Sequence, residues 1–548
     1  MSTTSDGSIR RASALLASGT LVSRVLGFAS AVFLTLTIGQ TTTATDTFAL
    51  ANQLPNNIYA IIAGGLLSSV FVPAIVRASL HEDNGRAFIN RLVTLGGLLF
   101  LAAGVVSTLA APLLVRLYAD IGGRMSDEQL GLATAFAYWC LPQVFFYALY
   151  SLLGEVLNAR QVFGPFTWAP ALNNVVVIVS LVIFRAAFGL DTAQGPAEGW
   201  TPGMVALLAG GATLGVASQA FALVLFWRRA GLHYRPDFHW RGVGLGQAGK
   251  AAAWTFGMIL VTQLAGIVQS NVTGAAAGEG SKAAAYRVIN NSWLIFMLPH
   301  SIAAVSIATA YFTRMATHHR DGRLDLLRGD LARSLNSIGA VIVFASVGLI
   351  VLSFPFSAVF SSDGFADVTA MAPVLIAFLV GLVPFSVLFV LRRTFYALDD
   401  TKTPFFNTLI QAAIFVVLVL FVLLLPRDLI AVGIASVTTI AGIIQTVFAA
   451  VSLRHRLGSF HGSDILRRHV QFLVACIPAA AVGILLVAVM GGYRDGGFGT
   501  SSAGGGILTM VVAGAVMALV YAGALRLLHN PQLDELVGPI LARVRRGR

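Results

Sequence analysis

The stretch Ala14-Leu15-Leu16-Ala17-Ser18-Gly19-Thr20-Leu21-Val22-Ser23-Arg24-Val25-Leu26-Gly27-Phe28-Ala29-Ser30-Ala31-Val32-Phe33-Leu34-Thr35-Leu36-Thr37-Ile38 decides how the chain is read. As a helix it is long enough to cross a hydrocarbon core of ~30 Å. One charge, Arg24, interrupts it about ten residues in, roughly 15 Å from the start at 1.5 Å per residue. A guanidinium at that depth is costly and is normally kept where something anionic must meet it. Only Arg287 is placed in a comparable way; the other basic residues fall in short segments between apolar runs.

Such runs recur from end to end. Of 548 residues, 57% are hydrophobic and 11% charged, with a mean hydropathy of +0.81. That composition excludes a soluble domain and predicts an all-α polytopic membrane protein. Hydropathy places about fourteen spans, at 14–38, 46–76, 89–115, 130–157, 166–188, 204–227, 246–275, 284–312, 334–360, 369–391, 404–425, 429–452, 469–490 and 506–528. The faint signal-peptide look of Arg10-Arg11 and the following apolar run is read as the first of these helices.

Charge tests the count. With the N-terminus inside, 28 of the 36 Lys and Arg fall in cytoplasmic segments and six outside: Arg116, Arg124, Arg185, Lys282, Arg427 and Arg494. One helix too many or too few would invert every later loop and destroy that asymmetry. Three lysines against 33 arginines suggest a GC-rich bacterial genome, so the expectation is a bacterial plasma-membrane protein with both termini cytoplasmic. The net charge of +12 does not indicate nucleic acid, because the basic residues are spread over one-sided loops with no aromatic ladder.

A duplication shows at an offset of 239 residues. Val156-Leu157-Asn158-Ala159-Arg160-Gln161-Val162-Phe163-Gly164-Pro165-Phe166 is echoed by Phe395-Tyr396-Ala397-Leu398-Asp399-Asp400-Thr401-Lys402-Thr403-Pro404-Phe405. Each is a helix end, a polar loop and a Pro-Phe opening the next helix, where proline suits the first turn. Six helices separate the copies, so the repeats are parallel. The expected organisation is an N-terminal lobe (1–230), a C-terminal lobe (231–460), and two extra helices with a basic tail (461–548).

Polar residues at membrane depth are the candidate substrate-binding set: Arg24, Asp46, Asn52, Asn56, Asn57, Arg287, Asn290 and Asn291. Arg24 is either paired structurally or faces a watery cavity. Arg287, near an outer helix end, can snorkel. Asp46 is either an N-cap or a group at the outer mouth. The amides around Pro55 either glue helices or line a kinked helix facing a cavity, where Asn173, Asn174, Gln269 and Asn271 could join them. His300, beside Pro299, reads as hydrogen-bonded packing, and Cys140 and Cys476 as small buried hydrophobes. No carboxylate pair, metal-ligand cluster, phosphate-binding glycine loop or nucleophile elbow occurs, so neither an enzyme, nor a metal, nor a cofactor is expected.

Four short stretches, in register, resemble the opening of the MurJ (MviN) lipid II flippase family: Ser23-Arg24-Val25-Leu26-Gly27-Phe28-Ala29, Ala44-Thr45-Asp46-Thr47-Phe48, Gln53-Leu54-Pro55-Asn56 and Phe71-Val72-Pro73. A looser likeness includes Trp293 to Pro299 and the turn Lys402-Thr403-Pro404. The resemblance implies two six-helix lobes as in the multidrug and oligosaccharide exporters, plus two helices whose groove suits a prenyl tail. It implies export of undecaprenyl-pyrophosphate-linked peptidoglycan precursor (lipid II) to the outer leaflet, with cell-wall synthesis proteins as further partners. Arg24 matches an arginine of the family's cationic cavity, and Asp46 an acid at its outer mouth. Other family arginines are replaced here by Ser30, by Tyr59 and Ala60, and by Leu294; Arg287 lies seven residues before Leu294, two turns nearer the outside.

Three rival readings remain at this level. One is a flippase for another prenyl-linked glycan. Another is a drug or cation antiporter of the same superfamily, which usually needs buried carboxylates. The third is a non-transporting scaffold for wall synthesis.

Overall fold

The computed structural model describes residues 3–40, 42–63, 86–119, 125–160, 162, 164–227, 234–239, 249–275 and 286–532. These residues form helices and no strand. Twelve helical segments are long and apolar enough to cross a membrane, thirteen if a pair bent by 42° is one broken span. The second expected span is described only to residue 63. Its remainder, with Phe71-Val72-Pro73, lies outside the described residues, as do Arg77, Arg124, Arg241, Lys282 and the arginines of the C-terminal tail.

The chain divides into two compact units, Met1–Gly278 and Glu279–Arg548. The first holds α1 (Thr3–Ile38), α2 (Thr43–Ile62), α3 (Arg86–Leu109), α4 (Ala111–Ala119), α5 (Asp127–Cys140), α6 (Gln143–Ala159), α7 (Gly164–Phe188), α8 (Pro202–Trp227) and α9 (Gly249–Gly274). The repeat placed the boundary at 230/231. In the folded chain α9 falls within the first unit, where it lies against α4 and α2.

Local chemistry sets the ends of these helices. Gly39 takes φ +87° as α1 stops, a conformation that costs glycine little. Thr42 and Thr45 then donate their hydroxyls to the Ile38 carbonyl, each at 2.8 Å, which satisfies an orphan acceptor at the end of α1. Thr42 also accepts from the Thr45 N–H at 3.2 Å, so Thr42 is the N-cap of α2. Asp46, for which an N-cap is one of two readings, instead sits within the first turn, where an acid suits the positive end of the helix dipole. In α5 a capping box joins Ser126 and Gln129. The fourth span is broken at Leu141–Pro142, between α5 and α6. The core of the first unit gathers Leu92, Phe100, Leu152, Val156 and Leu223 from α3, α6 and α8.

The second unit holds α10 (Tyr286–Pro299), α11 (Val305–Arg320), α12 (Leu324–Val351), α13 (Phe365–Val380), α14 (Leu382–Ala397), α15 (Lys402–Phe421), α16 (Ile430–Leu457), α17 (Gly462–Val489) and α18 (Ala503–Leu527). One π-helical turn, His300–Ala304, joins α10 to α11 just after Pro299. The pair α13 and α14 meets at Gly381 with the 42° bend. Helix α14 runs to Ala397, so Arg392 and Arg393, expected in a loop, are helical. The two extra helices pack on α12: Tyr521 donates to the Ala340 carbonyl at 2.8 Å and stacks on Phe344. Pro165 and Pro404 both lie in the first turn of their helices, as the duplicated motif requires.

Candidate functional site

In the first unit Arg24 is exposed, on a face of α1 it shares with Leu21 (55% exposed) and Val25 (59%). Among the described residues its guanidinium has neither a carboxylate nor a hydrogen-bond partner. The backbone beneath it is held from the side: Asn174 of α7 donates to the Ser23 carbonyl at 3.0 Å. Adjacent helical residues point about 100° apart, and Asn173 accordingly faces α8, where Gly215 leaves it room. The two asparagines therefore do not act together.

The amides of α2 separate into two groups. Asn52 accepts from Gln143 Nε2 at 3.1 Å, and the same nitrogen donates to Thr213 Oγ1 at 3.0 Å. Thr213 in turn donates to the Trp139 carbonyl at 2.6 Å. The direction of the chain is thus fixed. Thr213 uses its proton on the broken end of α5, so Gln143 must present its amide nitrogen, and Asn52 must accept through its oxygen. That leaves both Asn52 N–H groups to donate. Asn56, one turn further along α2, is exposed.

Asn57 belongs to the other group. Its side-chain oxygen accepts from Gln53 Nε2 at 3.2 Å, and its backbone carbonyl from Gln263 of α9 at 2.9 Å. This binds α2 to α9 near Pro55. Asn271 donates to carbonyls of its own helix and of Leu117, and is helical as expected. Asp46 is half-buried in the first turn of α2.

In the second unit Arg287 is buried, 8% exposed, in the first turn of α10; Asn291 is buried and Asn290 half-buried one turn further on. His300 is 2% exposed. Its Nδ1 lies 2.9 Å from Ser386 Oγ, and its ring packs edge-on against Phe385 and Phe389. This is the hydrogen-bonded packing role read from the sequence.

Gln143 and Thr213 escaped the sequence reading. A glutamine directly after a proline inside an apolar span was the available signal, but its partners lie 91 and 70 residues away.

Residues 35–497 match the family model described as lipid II flippase MurJ. The chain is 26% identical over 411 residues to a Haemophilus influenzae protein named a probable lipid II flippase MurJ, covering 70% of this chain and 75% of that protein. A solved structure of lipid II flippase MurJ in an inward closed conformation superposes with a TM-score of 0.70 at 19% identity, covering 94% of this chain and 100% of that one. An inward-facing multidrug resistance MATE family transporter of the MOP superfamily gives 0.62 at 16% identity, covering 80% and 95%. These two likenesses are of fold. With the family model matched over most of its length, the chain belongs to the MurJ lipid II flippase family.

Proposed function

We propose that this chain moves lipid II, the undecaprenyl-pyrophosphate-linked peptidoglycan precursor, from the cytoplasmic to the outer leaflet by alternating access. Arg24 carries the proposal: it lies in the Ser23-Arg24-Val25-Leu26-Gly27-Phe28 motif, at membrane depth, exposed and without a carboxylate among the described residues. A pyrophosphate needs donors whose charge survives burial, which favours arginine over lysine. The free Asn52 N–H groups and the exposed Asn56 suit sugar hydroxyls, and Asn57 braces their helix. In the second unit Arg287, Asn290 and Asn291 offer the same kinds of donor. Asp46 is assigned to the outer mouth.

The load is transported and not chemically changed, so no cofactor is invoked. Both termini are placed in the cytoplasm on the charge asymmetry. An inside-negative potential favours outward movement of the anionic head group by ~2.3 kcal/mol per charge per 100 mV.

The test is depletion of a host's own lipid II flippase, rescued by this gene or by its Arg24→Ala variant, with lipid II on the outer leaflet as readout. Rescue by the wild type alone supports the substrate and the role of Arg24. Failure of a well-expressed wild type favours a second reading, a flippase for another prenyl-linked glycan. Ser30, Tyr59, Ala60 and Leu294, at positions where the family carries arginines, motivate that reading.

A further inference from the structure

Arg392 lies five residues before the end of the membrane helix α14, about 7.5 Å along the axis. One guanidinium nitrogen donates to Thr408 Oγ1 of α15 at 3.2 Å. That hydroxyl is fully engaged: it donates to the Pro404 carbonyl at 2.9 Å and also accepts from Gln445 Nε2 of α16 at 3.2 Å. The contact is neutral, and among the described residues no carboxylate reaches Arg392.

Three arginines at this end of the unit are compensated by buried carboxylates. Arg314 and Arg333 bind the buried Asp330 at 2.9 and 2.7 Å. Arg456 binds Asp400 at 2.9 Å, and Asp400 also accepts from the Thr403 N–H and hydroxyl. Arg393, next in the chain, turns away to lie over the rings of Phe312 and Phe389. Arg392 thus keeps a full charge and most of its five N–H donors uncommitted, where α14, α15 and α16 converge. Tyr396 stands one turn on, on the same face of α14.

A cation at this depth, held by neutral groups, is completed by an anion, and the fork of a guanidinium fits phosphate oxygens. Basic pockets between helices on the cytoplasmic side are where membrane proteins take lipid phosphates. We propose that Arg392, with Thr408, Gln445 and Tyr396 around it, forms a phosphate-binding site at the basic, cytoplasmic end of the second unit, occupied by the phosphate of an anionic phospholipid. None of these residues is in the set assigned to the transported head group, so the site stands apart from the flippase reading.

The test uses the purified full chain in detergent, with thermal unfolding followed on adding phosphatidylglycerol, phosphatidylcholine or inorganic phosphate. Phosphatidylglycerol should raise the wild-type midpoint by about 3 °C more than phosphatidylcholine does. Arg392→Gln should lose most of that difference. Arg454→Gln, at an exposed arginine of the same end, should keep it. Should Arg392→Gln fail to fold, Arg392→Lys in native mass spectrometry should retain several-fold less phosphatidylglycerol than the wild type. An equal phosphatidylglycerol response in wild type and Arg392→Gln, or equal retention by Arg392→Lys, would overturn the site. An equal rise with inorganic phosphate alone would overturn the lipid source.

Discussion

The Asn174 side chain donates to the Ser23 carbonyl at 3.0 Å, one residue before Arg24. One turn on, Gly27 lies beside the same amide: a Cβ built there would stand 3.4 Å from its nitrogen, in van der Waals contact. The bond fixes the height and rotation of α1 where it carries Arg24. Asn174→Leu should cost about 1 kcal/mol, the usual net worth of one such bond, seen as a small fall in unfolding midpoint. Flipping in the depletion assay should fall further than the folded fraction does. Wild-type flipping by a folded Asn174→Leu protein would remove this bond from the placement of Arg24.

Gln143 makes a stronger prediction because it is fully buried and serves two partners. Gln143→Leu leaves Asn52 and Thr213 without their donor, and a buried polar group stripped of its partner costs about 1–3 kcal/mol. Thr213→Val should cost less, since it frees chiefly the Trp139 carbonyl. Unfolding of the two variants in the same detergent checks the order. The reverse order would mean that the broken helix end, and not the amide pair, holds this region together.

These contrasts mark what the sequence made legible. Apolar runs were enough for the helices, because spanning a hydrocarbon core demands them. The breaks were hidden. Pro55, Pro170, Pro373 and Pro478 sit inside continuous helices, whereas Pro142 and Gly381 lie at interruptions. A proline or glycine therefore does not announce a break; its neighbours decide whether the freed carbonyl finds a donor. Arg24 was legible alone, because its cost is a property of one residue in one helix. The Asn52–Gln143–Thr213 chain was not, because it exists only once α2, α6 and α8 are packed. Arg392 was misread as loop because α14 extends beyond its apolar stretch.

Outside the spans, Asp237 is held down to about 2 by the His239 N–H first, then by Arg91 Nε and the His239 ring, each at 2.9 Å. A depressed carboxyl contributes stability above its unfolded value, near ~3.9, and loses it as pH falls toward the folded value. The tie between Arg91 and residues 234–239 should thus persist from pH 8 to below pH 4 and fail only near pH 2. Asp237→Asn should loosen it at every pH. Amide exchange at His239 reports this, and a loss of protection between pH 7 and 5 in the wild type would contradict it.

Gly483 of α17 faces Met517 of α18, and a Cβ built there falls within contact distance of the Met517 sulfur. These helices bury Cys476, Ala479 and Tyr521 against α12, so the Met517 side chain must shift within a packed seam at a cost of about 1–3 kcal/mol. Gly523→Ala provides the opposite case: its Cβ meets nothing within 4 Å, and alanine there should stabilise the helix by about 0.5–1 kcal/mol. Unfolding midpoints should therefore move in opposite directions for Gly483→Ala and Gly523→Ala. If the extra helices carry the prenyl tail, Gly483→Ala should also slow flipping beyond its loss of stability, while Gly523→Ala should not. Equal flipping by both variants, at equal amounts of folded protein, would separate the seam from transport and leave the two helices a purely structural part of the second unit.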